Sequence, residues 1–325
     1  MTSTHMELEP SGAYSDLSHL CQLRFAARDL NLASRTPARS QLSGGLRTRF
    51  RGRGMEFEEV RLYQPGDDVR TIDWRVTART QVTHTKVFRE ERERPTFMVL
   101  DQRSAMFFGS QRCFKSVLGA HISGLLAWAA LEQGDRVGGL IFGDTQQRDI
   151  RARRSKHAVL ELLHHIHEFN RQLHSPVSEG PMQSLASVLT DTRRIAKPGS
   201  AVFLIGDFHD FDPHSEQQLF ELSRHSDVTL MHVYDPLEKQ LAGSAQLALS
   251  NGRERCLVPA HDLGFQRAYR ADFEHRLEQL TLSCQRLKLP LLSYSTRDPV
   301  QPLLRERFGK RRASRTGQLT RAPSA

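Results

Sequence analysis

The chain predicts an α/β fold: a doubly wound, mostly parallel sheet, preceded by an N-terminal helix and a charged, β-rich collar. Three observations carry the prediction. From Thr96 onward, short and nearly continuous apolar strands alternate with helices that are apolar along one stripe, as in a parallel sheet covered on both faces. Asp101, Asp144, Asp207 and Asp235 each follow one of those strands, and in such sheets sites form beyond the strands' carboxyl ends. Finally, 325 residues, 38% hydrophobic and 26% charged, suffice for one large globular domain with appendages.

Taken in order, residues 1–14 carry no apolar period and are expected to be disordered. Ser15 or Asp16 caps a helix whose Leu17, Leu20, Leu23 and Ala27 share a face, ending before Ser34–Pro37. Gln41–Gly54 is a basic, glycine-rich loop. Residues 55–94 read as strands and tight turns, with Pro65-Gly66 as a turn signal and Tyr63 and Trp74 as aromatic anchors among alternating acids and bases. The helix and collar thus occupy 15–94, the sheet domain 95–308, and a basic disordered tail 309–325.

Within the sheet domain, strand Thr96–Leu100 precedes helix Arg112–Glu132, and the turn Gly134-Asp135 leads into a strand ending at Phe142. Helix Ser155–Asn170 aligns Val159, Leu162, Leu163, Ile166 and Phe169 on one face. Helix Gln183–Ala196 stops at Pro198-Gly199, and Ala201–Ile205 is an apolar strand. Asp212-Pro213 opens a helix ending near Arg224, followed by strand Asp227–Tyr234. Helix Phe265–Leu287, strand Leu291–Tyr294 and a helix over Val300–Phe308 complete the chain. No internal repeat is present.

Lys and Arg exceed Asp and Glu by 46 − 37 = 9. Lys310, Arg311, Arg312, Arg315 and Arg321 supply more than half of that excess with no acid among them, so the folded body is only mildly basic. Cys21, Cys113, Cys256 and Cys284 are far apart and lack C-x-x-C spacing, which argues against a zinc knuckle or disulfide framework. The N-terminus shows no basic-then-apolar leader, and the longest apolar run, Gly124–Leu131, is short of the roughly 20 residues of a membrane helix. A cytoplasmic protein without membrane insertion is expected.

The stretches EFEEVRLYQPGDDVRTIDWRVTART, VLDQRSAMFFGS, DRVGGLIFGD, LIGDFHD and VYDPLE resemble the domain-of-unknown-function 58 family. The likeness runs from about Gly44 to Phe308, and its most specific part is Tyr-x-x-Gly-Asp-Asp-x-Arg-x-Ile-Asp-Trp at 63–74. It implies a von Willebrand factor A-like fold, in the short form without membrane helices, and a role beside a MoxR-type AAA+ ATPase.

The same likeness implies where a metal would sit. A-type domains hold Mg2+ through Asp-x-Ser-x-Ser after the first strand, a Thr on a later loop and an Asp after another strand; hard cations take such oxygen ligands. Here the first element reads Asp101-Gln102-Arg103-Ser104-Ala105, so Arg103 and Ala105 replace both serines. The later loop, Gly180-Pro181-Met182-Gln183-Ser184, has no threonine, and Asp207 matches the last aspartate. A +1 and a +2 charge about 5 Å apart repel by roughly 6–7 kcal/mol at an effective dielectric near 20. Halved for solvent and side-chain swing, that is still about two decades of affinity. Arg103 is therefore expected to pair with Asp101 or Asp207 in a degenerate metal-ion-dependent adhesion site with no bound cofactor; Mg2+ held by Ser104 and water is the disfavoured alternative.

Other constellations are weaker. His157, Glu161, His164 and Glu168 form a helical stripe opposite the apolar face, read as solvated surface rather than metal ligands. Asp207, His209, Asp210 and Asp212 crowd one strand end, where a His between acids could act as a base, but no nucleophile, Walker loop or G-x-G-x-x-G accompanies them. In the collar, Arg61, Asp67, Asp68, Arg70, Asp73 and Trp74 are read as a structural charge network partly buried around Trp74, with a direct partner-docking surface as the alternative. The expected function is non-catalytic: a protein-interaction module for a MoxR-type ATPase and a client protein. Its partner surface is expected at Asp101, Arg103, Asp207 and Asp210, with Arg103 receiving a partner carboxylate. The alternative is a polyanion- or nucleic-acid-binding protein using the row Arg47, Arg49, Arg51 and Arg53 with the basic tail.

Overall fold

The computed structural model describes residues 8–32, 55–65, 67–90, 94–172, 182–241, 247–250 and 255–309. The chain divides into two units, Met1–Pro37 with Arg94–Ala325, and Ala38–Glu93.

The larger unit is a doubly wound α/β structure. Its six-stranded sheet contains β3 (Pro95–Asp101), β4 (Arg136–Phe142), β5 (Gln147–Arg153), β6 (Ala201–Gly206), β7 (Asp227–Tyr234) and β10 (Leu291–Ser295), in the spatial order β10-β7-β6-β3-β4-β5. All neighbours are parallel except β4 and β5, which are antiparallel. From β3 the chain first winds outward through β4 and then returns to build β6, β7 and β10 on the other side. The order therefore reverses between β3 and β6, where a parallel sheet leaves a crevice at its carboxyl edge. Asp101 ends β3, and Asp207 follows β6.

Side-chain alternation explains the two layers. Met98 and Leu100 of β3 and Phe203 and Ile205 of β6 join one core, while Phe97, Val99, Val202 and Leu204 join the other. The first core is covered by α4 (Lys115–Glu132), α5 (Lys156–Gln172) and α10 (Val300–Phe308); the second by α6 (Leu185–Ile195), α7 (Pro213–Ser223) and α9 (Leu263–Leu287). α4 is buried on every side from Lys115 to Ala130, so it cannot be a one-sided surface helix.

The N-terminal helix forms as two short pieces, α1 (Leu17–Gln22) and α2 (Arg24–Ala27), with Asp16 as the N-cap. Grouping it with the collar is corrected by its packing: Leu20, Leu23, Ala27 and Leu30 lie in the first core of the sheet unit. The disorder expected through residue 14 is corrected over 8–14. Glu9 accepts from the backbone N–H of Val300 and Gln301 at the start of α10 and pairs with Arg112 at 2.9 Å, and Gly12 bridges to Cys113. Residues 1–7 and 310–325 lie outside the described residues.

In the smaller unit, β1 (Met55–Leu62) and β2 (His84–Glu90) form an antiparallel pair. Residues 74–80, expected as strand and turn, instead form α3 (Trp74–Thr80), because Asp73 caps the N–H groups of Arg75 and Val76. Two further elements carry no clear sequence signal. β5 buries only Ile150; Ala152 is half-buried and its charged and polar residues are exposed, as befits a charged edge. The pair β8 (Leu247–Ser250) and β9 (Arg255–Val258) follows the four-residue α8 (Pro236–Lys239).

Candidate functional site

The reversal in strand order brings Asp101 and Asp207 together at the carboxyl edge. Gly206 makes the approach feasible: a Cβ there would lie 3.0 Å from Cβ of Asp101, so a larger residue would push the two strand ends apart. Immediately afterwards Phe208 takes a left-handed φ of 53°, an uncommon and strained conformation for a bulky residue. That turn brings the His209 N–H back to Asp207 Oδ1.

Arg103 fills the position between Asp101 and Asp210. Its Nε donates to both Asp101 oxygens at 3.1 Å, and Nη2 donates to Asp101 Oδ2 at 2.6 Å and to Asp210 Oδ1 at 2.9 Å. Nη1 donates to Asp210 Oδ2 at 2.7 Å and to the Gln183 carbonyl at 3.2 Å. All five guanidinium N–H groups are thus engaged. The loop read as lacking a threonine ligand supplies a backbone oxygen to the arginine instead. Phe142 flanks the same charge, 5.2 Å from ring centroid to Cζ.

Of the two acids expected for Arg103, Asp101 is the one it holds, and its second acid is Asp210 rather than Asp207. One expectation is corrected: Arg103 cannot receive a partner's carboxylate directly, because its side chain is 4% exposed and every donor is already committed.

Asp207 has its own cation. Lys115, the first residue of α4, reaches it at 2.9 Å and Glu238 at 2.6 Å. Lys115 is 1% exposed. A lysine at a helix N-terminus opposes the helix dipole, so local helix stability does not explain its position; the two carboxylates do. The sequence reading missed Lys115 and Glu238. The available signal was a single lysine opening an otherwise apolar helix, with no acid in its first turn.

The electrostatics follow from this geometry. Burial pushes the Asp101 carboxyl up, against the pull of Arg103. Burial would also raise Asp207, but Lys115 and His209 overcome it and hold the carboxyl well below the usual range. Asp210 is lowered in the same way, burial being overcome by Arg103. The hydrogen bond that His209 Nδ1 donates to Asp207 Oδ1 at 2.8 Å raises the imidazole pKa against burial. His209 faces a small cleft of about 40 Å³ lined with His232, Glu238, Phe273 and Arg276. Asp207 and His209 form an oriented acid–imidazole pair, and among the described residues no serine, threonine or cysteine lines that cleft to serve as a nucleophile.

The remaining strand-end acids serve nearby loops. Asp144 accepts from the N–H and Oγ of Ser104, both at 3.1 Å. Asp235 holds Ser110, Thr296 and the Leu237 N–H, and Asp212 caps α7. On the α5 stripe, Glu168 meets His164 at 3.4 Å and His165 at 2.7 Å. No group of three or more His, Cys, Asp or Glu among the described residues is placed to hold a metal ion.

In the collar, Arg61 pairs with Asp67 at 2.8 Å, and Asp67 also accepts from the Gln64 N–H. Asp68 caps the 3-10 turn Val69–Thr71, and Asp73 caps α3. The network is not built around Trp74: that side chain is 69% exposed, and Arg70 is exposed too. The Arg47–Arg53 row and the basic tail lie outside the described residues. No described helix is long and apolar enough to cross a membrane.

Residues 59–279 match the family described as protein of unknown function DUF58. Uncharacterized proteins of Mycobacterium bovis (Mb1516) and Mycobacterium tuberculosis (Rv1480) are each 28% identical over 305 residues, spanning 91% of this chain and 92% of the relative. The crystal structure of a conserved hypothetical protein, BatB from Bacteroides thetaiotaomicron, aligns at 12% identity with a TM-score of 0.38, covering 66% of this chain and 96% of that one.

Proposed function

The chain belongs to the DUF58 family of proteins of unknown function, and from that starting point we propose that it is a non-catalytic, cytoplasmic protein-interaction module working with a MoxR-type AAA+ ATPase on a client protein. We read its sheet unit as von Willebrand factor A-like and its strand-end cluster as a degenerate metal-ion-dependent adhesion site. One observation carries the reading: Arg103, engaged through every donor by Asp101, Asp210 and the Gln183 carbonyl, supplies permanently the positive charge that an ion would bring. Lys115 does the same for Asp207. The sheet reversal supports the location.

On this reading the buried cations shape the edge, and the partner meets its accessible rim. Ser104 and His209 are exposed there, and Asp144 and Asp210 are half-buried. Recognition is then independent of divalent ions.

The test is capture of the MoxR-type ATPase by the full chain, with Mg2+ or with excess chelator, alongside calorimetric titration with Mg2+ and Mn2+. Equal capture in both conditions, no ion binding, and capture at least tenfold weaker for Asp144→Lys/His209→Glu are expected. Chelator-sensitive capture or micromolar ion binding would overturn the metal-independent reading. Undiminished capture by the double variant would remove the rim as the interface.

A further inference from the structure

We propose that α3 and the turn before it form a second docking surface, one for an acidic segment of a partner protein. The helix begins at Trp74, and successive residues turn by about 100°. Trp74, Ala78, Arg75 and Arg79 therefore fall within an arc of about 140°, and all four are exposed. Val76 and Thr77, on the opposite side, are half-buried. Trp74 is 69% exposed and Val69, in the preceding turn, 61%. Large apolar side chains exposed together mark interaction sites more often than free surface.

The charge on this surface is unbalanced because its acids are already committed. Asp67 is held by Arg61 and the Gln64 N–H. Asp68 accepts from the Arg70 N–H. Asp73 accepts from the Arg75 and Val76 N–H groups and meets Lys86 at 3.6 Å. Among the described residues, Arg70, Arg75 and Arg79 make no ion pair. The result is an exposed indole that shares its helix face with Arg75 and Arg79, with Arg70 in the preceding turn, none of the three guanidinium groups being ion-paired among the described residues.

That composition selects the partner. Each guanidinium can take a carboxylate bidentately, and Trp and Arg are the residues most enriched among interface hot spots. Duplex DNA binding commonly draws on about 6–10 phosphate contacts. A seven-residue helix is only about 10 Å long, which suits one turn of an acidic peptide bearing an apolar side chain for the indole. This surface lies on the smaller unit, and its argument does not use the strand-end cluster.

The test uses the full chain, with a labelled peptide of alternating glutamate and leucine as probe and a single-stranded oligonucleotide of equal charge as competitor, at about 50 mM salt so that charge is weakly screened. Trp74 emission reports the contact directly, because the other tryptophan, Trp128, is 3% exposed. Expected are peptide binding with a blue-shifted Trp74 signal, at least tenfold weaker affinity for Trp74→Ala and for Arg75→Glu/Arg79→Glu, and unchanged thermal melts. No peptide binding, binding that survives both variants, or tighter binding of the oligonucleotide through the same arginines would overturn the proposal.

Discussion

Arg103 meets the Asp101 carboxylate side-on from two residues later in the chain, with Nε 3.1 Å from both oxygens and Nη2 2.6 Å from Oδ2. Both side chains are 4% exposed, so neither charge can fall back on solvent. Breaking such a pair from one side costs about 3–5 kcal/mol, because the remaining charge stays buried. Arg103→Met should therefore lower unfolding free energy by that amount in a urea titration. Arg103→Lys, which keeps the charge but loses the planar fork, should cost roughly 1–3 kcal/mol, the penalty for unmade charged hydrogen bonds. A loss below about 1 kcal/mol for Arg103→Met would place the pair among weak surface contacts.

On the proposed reading of the strand-end cluster, introducing hydroxyls should permit ion binding. In Arg103→Ser/Ala105→Ser the fixed cation is gone and Asp101 gains oxygen neighbours suited to a hard ion. Mn2+ at ten times its dissociation constant should then stabilise the variant by about 1.4 kcal/mol through mass action, seen as a rise in melting temperature. The natural sequence should not respond. A similar rise in both proteins would mean that Arg103 does not exclude the ion.

Lys115 and Asp207 should behave as one unit. Lys115→Met and Asp207→Asn are each expected to cost several kcal/mol, since either leaves a buried partner uncompensated. In the double variant the costs should fall short of their sum by about 1–3 kcal/mol, the range for contacting residues. Strict additivity in denaturant unfolding would show that the 2.9 Å contact carries no coupling.

His209 gives a pH signature. Its folded pKa is raised by Asp207, so its stabilising contribution is complete below the unfolded value of about 6.5 and disappears as pH rises through the folded value. The penalty of His209→Gln should accordingly be larger at about pH 6 than at about pH 9. Because the ring is 38% exposed, the difference should stay within about 1 kcal/mol. A penalty that grows with pH would reverse the assignment.

His121 and His232 act in the opposite direction. Burial lowers His121 to about 3 and His232 to about 4, so unfolding takes up protons once pH falls below about 6.5. Stability should be retained above that pH and lost below it, at a slope approaching about 1.4 kcal/mol per pH unit for each ring. His121→Leu should flatten the acid side of the stability profile by one such slope. An unchanged acid limb would show that His121 is not kept neutral in the folded state.

The sequence by itself determined the sheet layering. Short apolar strands have no face to offer water, so Phe97, Val99, Met98 and Leu100 must be covered from both sides whatever else the chain does. It also placed Asp101, Asp144, Asp207 and Asp235 at strand ends, with Arg103 two residues after the first of them. Cap chemistry was partly legible: Asp16 and Asp212 cap as their positions predict, whereas Asp73 started a helix that the surrounding threonines and valine had disguised as strand.

Only the tertiary structure decided which acid each cation meets. Asp210 lies 107 residues from Arg103, and Asp207 lies 92 from Lys115. No local pattern encodes such distances. They are set by the strand-order reversal, by Gly206 admitting Asp101, and by the turn at Phe208. The same holds for Glu9, whose bonds to Arg112 and the start of α10 draw an apparently featureless N-terminus into the fold. Burial was equally a collective outcome: it closed Arg103 to any partner and left Trp74 exposed, because solvent access depends on what the rest of the chain places in front of a side chain.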